Sequence, residues 1–82
     1  VKVLPKAVKA LAQIPRETQL RIARRIDSLA SDPRPFNSER VKPTNYLRIR
    51  SGDYRIIYGI NDSELLVTVA VVGHRREVYR AF

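Results

Sequence analysis

Apolar and polar residues recur along this chain with two different periods, and the change of period divides it into two halves. From Lys6 to Ile14, Val8, Leu11 and Ala12 fall at i, i+3 and i+4 while Lys6, Lys9 and Gln13 point elsewhere, the spacing of a helix with one apolar stripe. Pro5 suits the first turn of that helix, where its missing N–H has no partner anyway, and Pro15 breaks the run. A second helical pattern starts at Arg16. Leu20, Ala23, Ile26 or Asp27, and Leu29 or Ala30 repeat at helical spacing, with Arg21, Arg24, Arg25 and Ser28 on the other sides. Glu17 stands four residues before Arg21, placed for an ion pair along the helix. Ser31-Asp32-Pro33-Arg34-Pro35 cannot continue a helix, so the second one is expected to end near Ser31. The two segments predict a helical hairpin whose stripes need a further layer to cover them. Val1–Leu4, ahead of it, reads as a short edge strand.

Residues 32–45 are dense in proline and turn formers and predict a connecting loop, with Phe36 as its apolar anchor. The period then becomes two. In Tyr46-Leu47-Arg48-Ile49-Arg50, Leu47 and Ile49 point one way and Tyr46, Arg48 and Arg50 the other. Ser51-Gly52-Asp53 reads as a turn, Tyr54–Ile60 as a second strand, and Asn61-Asp62-Ser63-Glu64 as another hairpin turn. Leu65–Val72 is apolar at nearly every position, as expected of a central strand covered on both faces or partly so. Gly73 ends it, and Glu77-Val78-Tyr79 can add a short last strand.

The predicted fold class is therefore α+β: a helical hairpin packed on one face of a three- to four-stranded antiparallel sheet, one domain over residues 1–82. The alternation assigns Tyr46, Arg48, Arg50 and Arg55 to the face that the helices leave open, with Tyr54, Ile56 and Tyr58 turned inward. Gly59 lets something approach that surface closely, or marks a bulge.

Composition sharpens this. Of 82 residues, 16 are Lys or Arg and 8 are Asp or Glu, a formal net charge of +8, and the excess is 12 Arg to 4 Lys. Arginine presents a rigid fork of donors suited to phosphates, so a nucleic-acid partner is the leading class. With no Cys and one His, the sequence offers neither a disulfide framework nor a clustered metal site, and no cofactor is expected. No segment approaches the roughly 20 apolar residues of a membrane span. A soluble, cytoplasmic protein with no membrane partner is the expectation.

The second cluster of candidate chemistry is Val72-Gly73-His74-Arg75-Arg76-Glu77-Val78-Tyr79-Arg80, at the end of the central strand. There Arg75 or Arg76 can reach the Arg48, Arg50 and Arg55 face, making a basic groove with one aromatic, Tyr79, and one imidazole, His74. Several arginines bind phosphate without regard to sequence, and a tyrosine among them can stack on a base. Each residue alone is an ordinary surface or packing residue; convergence on one surface is what points to function. No glycine-rich phosphate loop and no nucleophile elbow accompanies them.

In combination, Tyr46-Leu47-Arg48-Ile49-Arg50-Ser51-Gly52-Asp53-Tyr54-Arg55-Ile56-Ile57-Tyr58 and Val72-Gly73-His74-Arg75-Arg76-Glu77-Val78-Tyr79, with Lys6–Leu11 and Ser31–Pro35 upstream, resemble the RelE/ParE toxin superfamily, and within it the RelE branch. The resemblance extends over nearly the whole chain. It implies the toxin of a type II toxin–antitoxin system: a ribosome-dependent endoribonuclease that cuts mRNA in the ribosomal A site without a metal. It also implies neutralisation by a cognate antitoxin, with operator DNA met only through the antitoxin complex.

By the same resemblance Arg55 holds the scissile phosphate, Arg75 stabilises charge developing on it, Tyr79 stacks on and orients a nucleotide, Arg48 stabilises the leaving group and Arg50 supports it. Tyr46 stands where well-studied members carry a strand lysine proposed as the base, and together with Arg50 and Arg76 it is an RNA-binding candidate. The chain is also expected to lack the additional C-terminal helix of some members. Arginine, with a pKa of about 12.5 or more, is a poor proton acceptor at neutral pH. His74 is the one side chain whose ordinary ionisation lies near neutrality, so His74 or Tyr79 is expected to assist proton transfer unless the ribosome does so. Two other readings are a ParE-like gyrase inhibitor and a non-catalytic module whose basic groove receives an acidic antitoxin segment.

Overall fold

The computed structural model describes residues 1–78. Seven elements follow one another: β1 (Lys2–Val3), α1 (Pro5–Ala12), α2 (Arg16–Ser28), β2 (Glu39–Arg40), β3 (Leu47–Ser51), β4 (Tyr54–Asn61) and β5 (Leu66–His74). The strands form one sheet in the order β1-β5-β4-β3-β2. The architecture is α+β as expected, but the sheet has five strands instead of three or four. The meander β2-β3-β4-β5 is antiparallel, and β1 adds to it in parallel, Lys2 opposite Thr68 and Val3 opposite Val69. The unforeseen strand is β2, two residues inside the segment read as pure loop. Two residues carry too little pattern to announce a strand; β3 supplies the ladder that defines it.

Both helices cover one face, α1 over β5 and α2 over β3 and β4. Pro5 opens α1 at its first turn, and Pro15 separates the helices as the cap of α2. The side-chain amide of Gln19 donates to the Leu11 carbonyl at 3.0 Å, tying the second helix to the end of the first. The first stripe is rotated from the expected one, and the second keeps Ile26 and Leu29 but takes Ile22 in place of Leu20. Ala7 and Ile14 are buried on the first arm and Ile22, Ile26 and Leu29 on the second, while Val8 and Leu20 are about half exposed. Ala7, Leu11 and Ile14 satisfy helical spacing as well as Val8, Leu11 and Ala12 do, so the pattern alone left the rotation of the helix undecided. Against these pack Ile49, Ile56, Tyr58, Val67, Val69 and Val72 from the sheet. Burying each such aliphatic side chain contributes about 1.5–3 kcal/mol.

Between Val69 and Val72 the β4–β5 register shifts. Ile57 pairs with Val71 but Tyr58 pairs with Val69, which leaves Ala70 as the extra residue of a bulge. The bulge turns Val69 and Val72, three apart, to the same core face, and it explains a run too continuously apolar for simple alternation. The strand starts one residue later than expected. Leu65 belongs to the preceding turn, 91% exposed and at φ +52°.

The face away from the helices is not wholly open. Ile57, opposite Arg48, is fully buried on it, and Val78 is buried against Gly73 after the chain folds back. No strand forms at Glu77-Val78: the Glu77 N–H donates to the His74 carbonyl at 2.8 Å, closing a turn, and Tyr79 lies outside the described residues. Gly59 does receive a neighbour, the ring of Tyr46. A Cβ at that glycine would stand 3.3 Å from the ring's Cε1, so an aromatic from β3 fills the space that the glycine leaves on β4.

Candidate functional site: an arginine pocket

Strand pairing assembles the site. Arg48 and Arg50 alternate with buried Ile49 on β3, and Arg50 is the direct partner of Arg55 across the β3–β4 hairpin, so all three guanidinium groups leave the same face. The hairpin loop is Gly52-Asp53, with Gly52 at φ +59°, the conformation that two-residue hairpins with glycine first require. The Arg75 N–H donates to the Asp53 carbonyl at 2.7 Å, and its guanidinium lies 3.7 Å from the Asp53 carboxylate. Asp53 therefore draws the segment after β5 against the hairpin tip and brings Arg75 and Arg76 beside the strand arginines. Together with residues of the α2–β2 loop they line an open pocket of about 690 Å³.

Five arginines line this pocket (Arg48, Arg50, Arg55, Arg75 and Arg76) against one carboxylate, Glu39, leaving a formal charge of +4 on its wall. Glu39 projects from β2 opposite Arg48 and accepts from its guanidinium at 2.7 Å. That hydrogen bond, then the attraction of Arg48 and more weakly of Arg50 and Arg55, holds the Glu39 carboxyl below the usual range. Arg55 donates from one guanidinium nitrogen to the backbone carbonyls of Gly52 and Tyr54, at 3.1 and 3.2 Å, which fixes the side chain over the loop and leaves its other donors for a ligand of the pocket it lines. A surface of this kind binds and neutralises phosphate oxygens.

Arg48, Arg50 and Arg55 thus line one cavity, and both Arg75 and Arg76 join them where one or the other was expected. His74 is not part of it. As the partner of Tyr54, it shares the helix-side face with Tyr54 and Val72, and its ring packs edge-on against the Tyr54 ring at 5.7 Å. Its Nδ1 accepts from the Arg76 N–H at 3.3 Å. Tyr46 shares the arginine face but covers Gly59 and does not line the pocket. Glu39 and Phe36, with Asn37, Ser38 and Ile49, line the pocket without having been singled out as site residues by the sequence, and Asp53 acts from outside the lining by holding Arg75. Phe36, expected as an apolar anchor, is fully exposed at the rim, because the sheet and helices close without it. Among the described residues no group of three or more His, Cys, Asp or Glu is placed to hold a metal ion, and no helix is long and apolar enough to cross a membrane.

Comparison with known proteins adds to this geometry. A family model for the ParE toxin of type II toxin–antitoxin systems matches residues 1–79. Among solved structures, a chain of the RelB–RelE antitoxin–toxin complex from Methanococcus jannaschii is 28% identical with a TM-score of 0.79, over 100% of this chain and 99% of that one. A chain of the archaeal RelE–RelB complex from Pyrococcus horikoshii OT3 is 29% identical with a TM-score of 0.79, over 90% and 91%. The isolated RelE toxin of E. coli, at 16% identity and a TM-score of 0.77 over 99% and 96%, is alike in fold. No curated protein sequence matches the chain significantly.

Proposed function

Because the chain belongs to the ParE toxin family of type II toxin–antitoxin systems, within the RelE/ParE superfamily, we propose that it acts as a toxin of the RelE kind, an endoribonuclease that cuts mRNA in the A site of the ribosome and so arrests translation. The observation that carries this reading is the pocket itself: five arginines lining one cavity, three from the sheet and two from the turn after β5, with a single carboxylate among them.

The reaction proposed for this pocket is attack of a ribose 2′-oxygen on the adjacent phosphorus. The P–O5′ bond breaks, leaving a 2′,3′-cyclic phosphate on one fragment and a 5′-hydroxyl on the other. Negative charge accumulates on the non-bridging oxygens and on the departing 5′-oxygen. Arg55, held from behind by two carbonyls, grips the phosphate; Arg75, drawn to the hairpin tip by Asp53, meets the charge that develops on it; Arg48 and Arg50 face the leaving oxygen. Each such preorganised donor is worth about 10²–10³ in rate. None of the arginines accepts the 2′-proton. Glu39 is a weak acceptor because Arg48 holds its carboxyl low. His74 faces the other side of the sheet, so the 2′-proton is assigned to Tyr79 or to a group of the ribosome, and the departing 5′-oxygen takes a proton from solvent to become the hydroxyl.

A cognate antitoxin is the proposed protein partner. The relatives from M. jannaschii and P. horikoshii are seen in antitoxin–toxin complexes, and an acidic segment laid over the arginines would exclude RNA. Contact with operator DNA is proposed only through that complex, and the cytoplasm is the proposed site of action.

The family-model match favours one further reading, a gyrase inhibitor, since the matching model is that of ParE. Purified components separate the two. Cleavage of mRNA on programmed ribosomes by the freed toxin, with 2′,3′-cyclic phosphate ends, supports the ribonuclease; accumulation of gyrase–DNA cleavage complexes with mRNA intact replaces it by the second reading.

A further inference from the structure

Phe36 is the most exposed large apolar side chain among the described residues, at 106% of its exposure in an extended peptide, and it stands on the rim of the arginine pocket. Leaving a phenylalanine in water forgoes the stabilisation of burial, and the loop that carries it is tethered at several points. The Tyr58 hydroxyl, rising from the core, donates to the Pro33 carbonyl at 2.8 Å. Arg34 makes two hydrogen bonds to the Asp62 carboxylate, at 3.2 and 3.0 Å. Arg25 reaches the Asn37 side chain at 3.4 Å. Between these ties, the Ser38 N–H donates to the Pro35 carbonyl at 2.9 Å, a turn with Phe36 and Asn37 at its corner. The loop is fixed, and it holds the ring out over the pocket mouth.

We infer that Phe36 is a base-stacking platform: its ring takes a nucleobase of the RNA strand whose phosphates lie on Arg48, Arg50, Arg55 and Arg75. The inference rests on the ribonuclease reading and deepens it, adding an aromatic contact at the pocket rim. Stacking needs a single accessible ring face beside a cationic track for the backbone, and tolerates any base. An apolar docking site for a protein would need a contiguous patch. Here the neighbours of Phe36 along the rim are Asn37, Ser38 and Glu39, all polar, and the exposed Val8, Leu20 and Leu65 do not line this pocket. A lone ring among polar groups and arginines matches a nucleobase.

The test is single-turnover mRNA cleavage on programmed ribosomes, with each A-site codon nucleotide replaced in turn by an abasic one. Phe36→Ala should slow cleavage of the intact codon about 10-fold, and Phe36→Trp should restore it. At one codon position the abasic nucleotide should slow the wild type by a similar factor and cause no further loss in Phe36→Ala. Circular dichroism of both variants should match the wild type. If Phe36→Ala cleaves as fast as the wild type, or its defect is undiminished at every abasic position, the stacking role is overturned and the ribonuclease reading stands. If Phe36→Ala instead loses only affinity for the antitoxin, the ring belongs to a protein interface and the inference falls. If the wild type leaves the mRNA intact, the functional reading falls and the inference with it.

Discussion

Glu39 and Arg48 stand directly opposite one another across β2 and β3, and their side chains meet at 2.7 Å on the wall of the arginine pocket. The pairing orients Arg48 and anchors a strand of only two residues at the sheet edge. It also makes that anchor dependent on pH. The Glu39 carboxyl is held below its ordinary value of 4.5, chiefly by the hydrogen bond from Arg48, and Asp62 is lowered below 3.8 in the same way by Arg34. A carboxyl lowered in the folded state contributes stability above its unfolded value, and that contribution is lost as the pH falls through the folded one. Thermal unfolding measured from pH 6 downward should therefore show a loss of stability below about pH 4.5. Glu39→Gln and Asp62→Asn should each flatten that loss.

Tyr58 connects the core to the loop that bears Phe36. Its ring is fully buried and its hydroxyl donates to Pro33. Tyr58→Phe should cost about 1 kcal/mol, a fall in Tm of about 4–8 °C for a chain of this size, and should loosen the loop as read by hydrogen exchange at residues 34–38. Burial raises the Tyr58 hydroxyl above its ordinary value of 10.0. Its contribution is therefore complete below that value and is lost as the pH rises through the raised one. The phenylalanine variant should lack this alkaline loss.

Catalysis should divide along the two sheet faces. Arg55→Ala and Arg75→Ala should each lower the rate of mRNA cleavage on ribosomes by about 10²–10³. His74→Gln should stay within a few-fold of the wild type, because that ring packs on Tyr54 on the helix side. A loss in His74→Gln as large as in Arg75→Ala, with the fold intact by circular dichroism, would restore the imidazole to the reaction.

Leu65 offers a stabilising change away from the site. It is 91% exposed in the β4–β5 turn and adopts φ +52°, a conformation that costs a residue with a Cβ about 1 kcal/mol. Leu65→Gly should raise stability in urea unfolding by about 0.5–1 kcal/mol, with mRNA cleavage unchanged.

Much of the site was legible because β-strand alternation is a short-range rule. Once Leu47 and Ile49 are taken as inward, Arg48 and Arg50 must be outward, and a two-residue loop at Gly52-Asp53 returns Arg55 to the same face. Hence the three strand arginines could be brought to one surface from their positions in the chain, with Arg75 or Arg76 in reach of it, and the helical hairpin and most strand positions could be read with them. Three features needed the assembled sheet. A two-residue strand such as β2 exists only because β3 offers it a ladder, so Glu39 could not be seen as the partner of Arg48. Phe36 has the residue type of an anchor, and only the closed core shows that no space was left for it.

The third is His74. Counting by twos from Val69 puts Gly73 on the core side and His74 among the arginines; the bulge at Ala70 reverses both. The sequence by itself determined the charge, the helical hairpin, the antiparallel meander and the face on which the strand arginines gather, because these depend on residues a few positions apart. The tertiary structure decided the rotation of the helices, the edge strands and the side on which His74 lies. Those depend on how β5 fits simultaneously against β4 and the helices, a packing condition set by residues distant in the chain.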